Sequence, residues 1–104
     1  MKSTIIIATA VAALALSLGV SAADQNAVDK AKTLCAGCHG PNGLSVNPLW
    51  PNLAGQKASY LEKAMRDYKT GQRQDPLMGP ISTTLNDSEL AALGAYYAAL
   101  PAGG

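Results

Sequence analysis

The apolar positions of this chain change rhythm four times. From Ile5 to Val20 they dominate, as Ile, Ala, Leu and Val, preceded by Lys2 and followed by small residues at Val20-Ser21-Ala22 and Ser21-Ala22-Ala23. From about Asp24 to Ala36 they return at helical intervals, with Val28, Ala31, Leu34 and Cys35 on one face. From about Ala58 to Thr70, Leu61, Ala64, Met65 and Tyr68 recur at i, i+3, i+4 and i+7. Glu62 is placed to pair with Arg66 on that helix, and Gly71 is a natural stop.

The last helix is the best defined. Asn86 can cap it, Glu89 can complete a capping box, and Leu85 with Leu90 can form a hydrophobic staple. Leu90, Leu93, Tyr97 and Leu100 make its buried stripe, and Pro101 ends it. Gly94 in mid-helix costs roughly 1 kcal/mol relative to Ala, which predicts a close helix crossing there. Between the helices lie two Pro/Gly/Asn-rich loops, Gly40 to Gly55 and Gln72 to Thr84. Such loops are long for a plain helical bundle and need something to wrap.

The first apolar run reads as a secretory signal peptide. Lys2 supplies its positive start, and about 16 apolar residues fall short of the roughly 20 that a spanning helix needs. Cleavage after Ala22 or Ala23 divides the chain into a removed segment, 1–23, and one domain, 24–104. Lys and Arg number 8 and Asp and Glu 7. Lys2 is one of the eight, so the remaining domain is electrically balanced and offers nothing to nucleic acid or another polyanion. It has no Phe and little Val or Ile, a thin core for a stable domain. A large apolar cofactor would supply the missing mass.

The chemistry is concentrated in Cys35-Ala36-Gly37-Cys38-His39, a C-x-x-C-H run and the attachment signature of a c-type haem. Two thiols on one helical turn can each add to a vinyl group of the same porphyrin, and the adjoining His can reach the iron from beneath the ring. A redox-active C-x-x-C disulfide is the competing use for an exported pair. It needs a βαβ context, and the domain has no β-branched runs.

His39 is the chain's one histidine, so a second His ligand from within the chain is excluded. Met, Lys, Tyr, an exogenous molecule or nothing could fill the sixth position. Of the methionines outside the leader, Met65 belongs to an apolar helical stripe and reads as core filler. Met78 sits in the irregular Asp75-Pro76-Leu77-Met78-Gly79-Pro80 loop, which marks it as the candidate thioether. A ligating His normally donates its other ring N–H to a fixed acceptor. The carbonyl of Pro51, in Trp50-Pro51-Asn52-Leu53, could serve, or Pro51 could be only a turn residue.

With these residues in place the chain resembles a class I cytochrome c, and is most similar to single haem domains of bacterial periplasmic dihaem cytochromes and their one-haem relatives. The resemblance is carried by Cys35 to Gly40, Trp50 to Gln56, Tyr60 to Lys63, Gly71-Gln72-Arg73, Met78, and Leu85-Asn86-Asp87 leading to Ala95-Tyr96-Tyr97-Ala98. It implies an all-α fold of three main helices and two long loops around one covalently bound haem c. It further implies thioethers at Cys35 and Cys38, axial ligation by His39 and Met78, acceptance by Pro51 from His39, and a crossing of the first and last helices near Ala31 and Tyr97. No second C-x-x-C-H accompanies the first.

The expected function is a periplasmic one-electron carrier, monomeric, working with redox partner proteins and without a small-molecule substrate or a catalytic residue. A thioether ligand favours Fe(II) and raises the potential. The alternatives are a haem c subunit of a periplasmic oxidoreductase and a haem-based sensor with a labile Met78.

Overall fold

The computed structural model describes residues 2–9 and 22–103. The greater part of the apolar leader and the small residue Ser21 of its cleavage sites lie outside the described residues. Helix α1 spans Ala22–Lys30, continues through a π turn at Ala31–Cys35, and runs into the short α2, Ala36–His39. Helix α3 is Ala58–Thr70, α4 is Met78–Thr83 and α5 is Asp87–Ala98. There is no strand among the described residues, as the all-α expectation requires. Among them, too, no helix is long and apolar enough to cross a membrane.

Helix α5 forms for local reasons. The Glu89 amide donates to Asn86 Oδ1 at 2.9 Å, and Glu89 Oε1 accepts from the Asn86 amide at 3.1 Å, so two orphan donors of the first turn are satisfied reciprocally. Glu89 also reaches α1. Its Oε2 lies 2.7 Å from Lys30 Nζ and 3.2 Å from Asn26 Nδ2. One carboxylate therefore caps the last helix and ties it to the first. The Lys30 ammonium, then the Asn86 amide, hold it below the usual glutamate range.

The core gathers where α1, α3 and α5 meet. Ala27, Ala31, Leu61, Leu85, Leu90, Leu93 and Tyr97 form one buried cluster, with Cys35, Met65 and Leu100 packed against it. Leu85 and Leu90 both sit in it, as a staple requires, and Ala31 and Tyr97 share it across the first and last helices. Gly94 lies at a close crossing: a Cβ there would stand 2.7 Å from the Ala58 carbonyl oxygen of α3. On α3, Glu62 pairs with Arg66 at 3.0 Å, and Gly71 closes the helix at φ +83°, left-handed geometry that glycine adopts freely.

Two expectations need correction. The first helical run extends to His39, and its inward residues are Ala27, Ala31 and Cys35. Val28, expected on that face, is only partly buried, and Leu34, though 38% exposed, lines a cavity together with Cys35. The Gln72–Thr84 segment is not irregular throughout, because α4 occupies its second half. Gly79 and Pro80 do not prevent that helix. They fall in its first turn, where amides have no intrahelical partner and a missing N–H costs nothing.

Candidate haem-binding site

Cys35 ends the π turn, while Cys38 and His39 ride on α2. Gly40 stops α2 at φ +86°, and any side chain there would collide with the Leu44 carbonyl, 2.0 Å from an ideal Cβ. The chain must turn sharply after His39, and glycine permits it.

The loop that follows is pinned at several points. The Leu53 and Ala54 amides both donate to the Gly43 carbonyl, at 2.8 and 3.1 Å, and the Gly55 amide donates to the Tyr97 carbonyl of α5 at 3.0 Å. Asn52 Oδ1 accepts from the Ser45 amide at 2.7 Å. These bonds fix the intervening Pro51, whose carbonyl oxygen lies 2.8 Å from His39 Nδ1. A carbonyl can only accept, so His39 donates from Nδ1 and keeps the Nε2 lone pair free for a metal. The ring is buried, at 7% exposure.

Cys35, Cys38 and His39 form one wall of a cavity of about 360 Å³. Helices α3 and α4 also line it, with Leu61, Ala64, Met65 and Tyr68 from the first and Met78 and Ile81 from the second. Tyr97 reaches in from α5, and Leu49, Trp50 and Leu53 close the side of the first loop. Both methionines therefore have a place on the cavity wall, Met65 while also packing on the core.

Met78 opens α4, and its position is set by Asp75. Asp75 Oδ1 accepts from the amides of Leu77 and Met78 at 2.8 and 2.9 Å, and the Asp75 carbonyl accepts from Gly79 at 3.0 Å. The Met78 and Leu77 amides hold the Asp75 carboxyl below its ordinary range. An Asp-Pro pair ahead of two apolar residues carries that signal in the sequence, although its partner amides there are not evident until α4 is recognised.

Does a porphyrin fit these residues? Leu49, Leu77 and Tyr60 line the cavity yet stand 85%, 52% and 51% exposed, large apolar surface that a flat hydrophobic group would cover. Cys35 and Cys38 are not joined to each other as a disulfide. Burial pushes the Cys35 thiol up, a Tyr97 hydrogen bond opposes this, and Cys38 adds to it. Cys35 is thus held as a neutral thiol, unlike the lowered thiolate of a redox-active C-x-x-C. Tyr97 is itself pushed up, by burial first and then by Cys35, and keeps its proton. The apolar walls, paired thiols and free imidazole nitrogen fit covalent haem.

Comparison with known proteins agrees. The Cytochrome c family profile matches residues 27–100. Cytochrome c-554(548) of Halomonas halodenitrificans is 42% identical over 66 residues, covering 61% of this chain and 80% of that protein. A thiosulfate dehydrogenase electron acceptor of Stutzerimonas stutzeri is 38% identical over 99 residues, covering 88% of this chain and 46% of its own length. The crystal structure of reduced recombinant cytochrome c4 from Pseudomonas stutzeri superposes with a TM-score of 0.65 at 29% identity, over 79% of this chain and 50% of that one. The chain thus spans about half the length of the longer relatives it matches. It belongs to the cytochrome c family, whose members bind haem c covalently and carry electrons.

Proposed function

We propose that residues 24–104, freed of the leader, form a periplasmic monohaem cytochrome c that shuttles single electrons between redox partner proteins as a monomer. Cys35 and Cys38 would hold the haem by thioethers, with His39 and Met78 as axial ligands. When bound, the haem supplies one-electron exchange between Fe(III) and Fe(II).

The chain's own residues do the rest. The Pro51 carbonyl keeps His39 in one tautomer and orientation and raises its basicity as a ligand. Asp75 holds the backbone of Met78 at the start of α4. Leu61, Ala64, Ile81 and Tyr97 line the cavity and would exclude water from a bound haem, lowering the local dielectric and the cost of reorganisation on electron transfer. Were His39 and Met78 both to bind the iron, no position would be left on it for a substrate.

The single observation carrying this reading is that His39, oriented by Pro51, and Met78 line one apolar cavity with the two thiols. Visible spectra of the exported protein, oxidised and reduced, test it. A low-spin spectrum that carbon monoxide leaves unchanged at neutral pH supports the carrier. A reduced form that binds carbon monoxide readily would replace it with the sensor.

A second reading has support from one relative. The Stutzerimonas protein is by its name an electron acceptor of thiosulfate dehydrogenase, which favours a partner that receives electrons from an oxidoreductase. Co-purification of the chain with a dehydrogenase at fixed stoichiometry would favour a subunit; recovery of the free chain would favour the shuttle.

A further inference from the structure

Tyr97 carries a hydroxyl into the buried interior. The residue is 3% exposed and belongs to the cluster shared by α1, α3 and α5. A buried phenol needs a partner for its O–H, because an unmet donor there forfeits its hydration. The partner is the sulfur of Cys35. Both residues line the cavity, and Cys35 is the cysteine packed against the cluster that holds Tyr97.

The phenol is held from several directions. The Gly55 amide donates to the Tyr97 carbonyl at 3.0 Å. Tyr96 meets the Tyr97 ring edge-on, with centroids 5.0 Å apart and planes at 76°. From the first loop, Gly43 comes so near that a Cβ would stand 3.0 Å from Tyr97 Cδ1. These contacts leave the ring little freedom to turn away from the end of the π turn, where Cys35 sits.

Chemistry sets the direction of the bond. When the Cys35 thiol adds across a vinyl group, sulfur bonds to the carbon next to the ring and the S–H hydrogen passes to the outer carbon. The resulting thioether keeps its lone pairs and has no proton, so it accepts and never donates. Tyr97 is then the donor, and burial keeps the proton on its oxygen. A donor pulling on that sulfur draws electron density from the attached edge of the porphyrin. Less density at the ring favours Fe(II).

We propose that the Tyr97 hydroxyl donates to the Cys35 sulfur and keeps that bond once the sulfur is a haem thioether. Tyr97 is thus a positioning residue for one of the two attachment points, and it raises the potential from that side. This rests on the cavity holding covalent haem. It also makes the two thioethers unequal, since the donor serves Cys35 and not Cys38.

Resonance Raman spectra of the haem-loaded protein in H₂O and D₂O, with spectroelectrochemistry, test this on the wild type, Tyr97→Phe and Tyr96→Phe. In the wild type, one of the two thioether C–S stretches should shift on deuteration and the other should not. Tyr97→Phe should lose that shift, and Tyr96→Phe should keep it. At fixed potential, Tyr97→Phe should move the Fe(III)/Fe(II) ratio toward Fe(III) by about two- to three-fold, the scale of a weak hydrogen bond. Tyr96→Phe should match the wild type. A wild type with no deuterium-sensitive C–S stretch would overturn the proposal without any variant. So would a shift retained in Tyr97→Phe, or a Tyr97→Phe potential equal to that of the wild type. A wild type carrying no covalent haem, seen as a denatured band without haem stain, would instead overturn the haem reading beneath it.

Discussion

The Asp75 carboxylate accepts the backbone N–H of Met78 at 2.9 Å. Three residues of chain thus bind the candidate sixth ligand to a fixed point at the mouth of α4, while the Met78 side chain lines the cavity. A loop ligand without such a clamp would exchange more readily with external ones. Asp75→Ala is expected to speed cyanide binding to the oxidised protein several-fold and to weaken the sulfur-to-iron absorption. Asp75→Asn, whose side-chain oxygen can still accept both amides, should behave like the wild type. Stopped-flow cyanide binding checks both variants; equal rates in all three proteins would remove the clamp from the mechanism.

Gly94 and Gly37 should respond oppositely to the same substitution. Both lie in helices, where Ala is favoured over Gly by roughly 1 kcal/mol. A Cβ at Gly37 meets nothing within 4 Å, whereas at Gly94 it stands 2.7 Å from the Ala58 carbonyl oxygen, backbone that cannot swing aside. Gly37→Ala should be neutral or stabilising by up to about 1 kcal/mol. Gly94→Ala should lose about 1–3 kcal/mol by overpacking, net of its helical gain. Thermal unfolding of the two variants measures the contrast.

Glu89 gives the fold an acid-sensitive tie. Lys30 and the Asn86 amide lower its pKa below the ordinary value of 4.5, so the folded state favours the charged form. Its contribution is present in full above that value and is lost as pH falls through the lower folded one. Glu89→Gln can still accept from the Asn86 amide but drops the ion pair, for a loss below about 1 kcal/mol at neutral pH. The gap between wild type and variant should close on acidification. Denaturant titrations at neutral and acid pH check the sign, and a gap that widens in acid would contradict it.

The parts of this molecule legible in the sequence are those set by neighbours three or four positions apart. The Asn86–Glu89 capping box and the Glu62–Arg66 pair are such patterns, and both are present in the fold. Gly94 was legible for the opposite reason: a residue that harms its own helix must be serving a neighbouring one. The π turn is not legible, because apolar spacing carries no mark of one residue's extra winding. Helix α4 was hidden by Gly79 and Pro80, which break a helix interior but not its first turn. The tie from Glu89 to Lys30 and Asn26 joins residues some 60 positions apart, and nothing local announces it. Within the site, C-x-x-C-H is legible because covalent chemistry fixes its spacing, and the stacking of Arg73 on Tyr68 is not, because the two meet only in the fold.

His39 and Met78 together would close the iron to outside ligands. The most direct measurement is the long-wavelength sulfur-to-iron band of the oxidised protein, recorded for the wild type, Met78→Ala and Met65→Leu. The wild type should show the band. Met78→Ala should lose it and open the iron to carbon monoxide and cyanide. Met65→Leu, a volume-conserving change costing less than about 1.5 kcal/mol, should keep it. A band that survives Met78→Ala and vanishes in Met65→Leu would contradict the assignment and move the sixth ligand from α4 to α3.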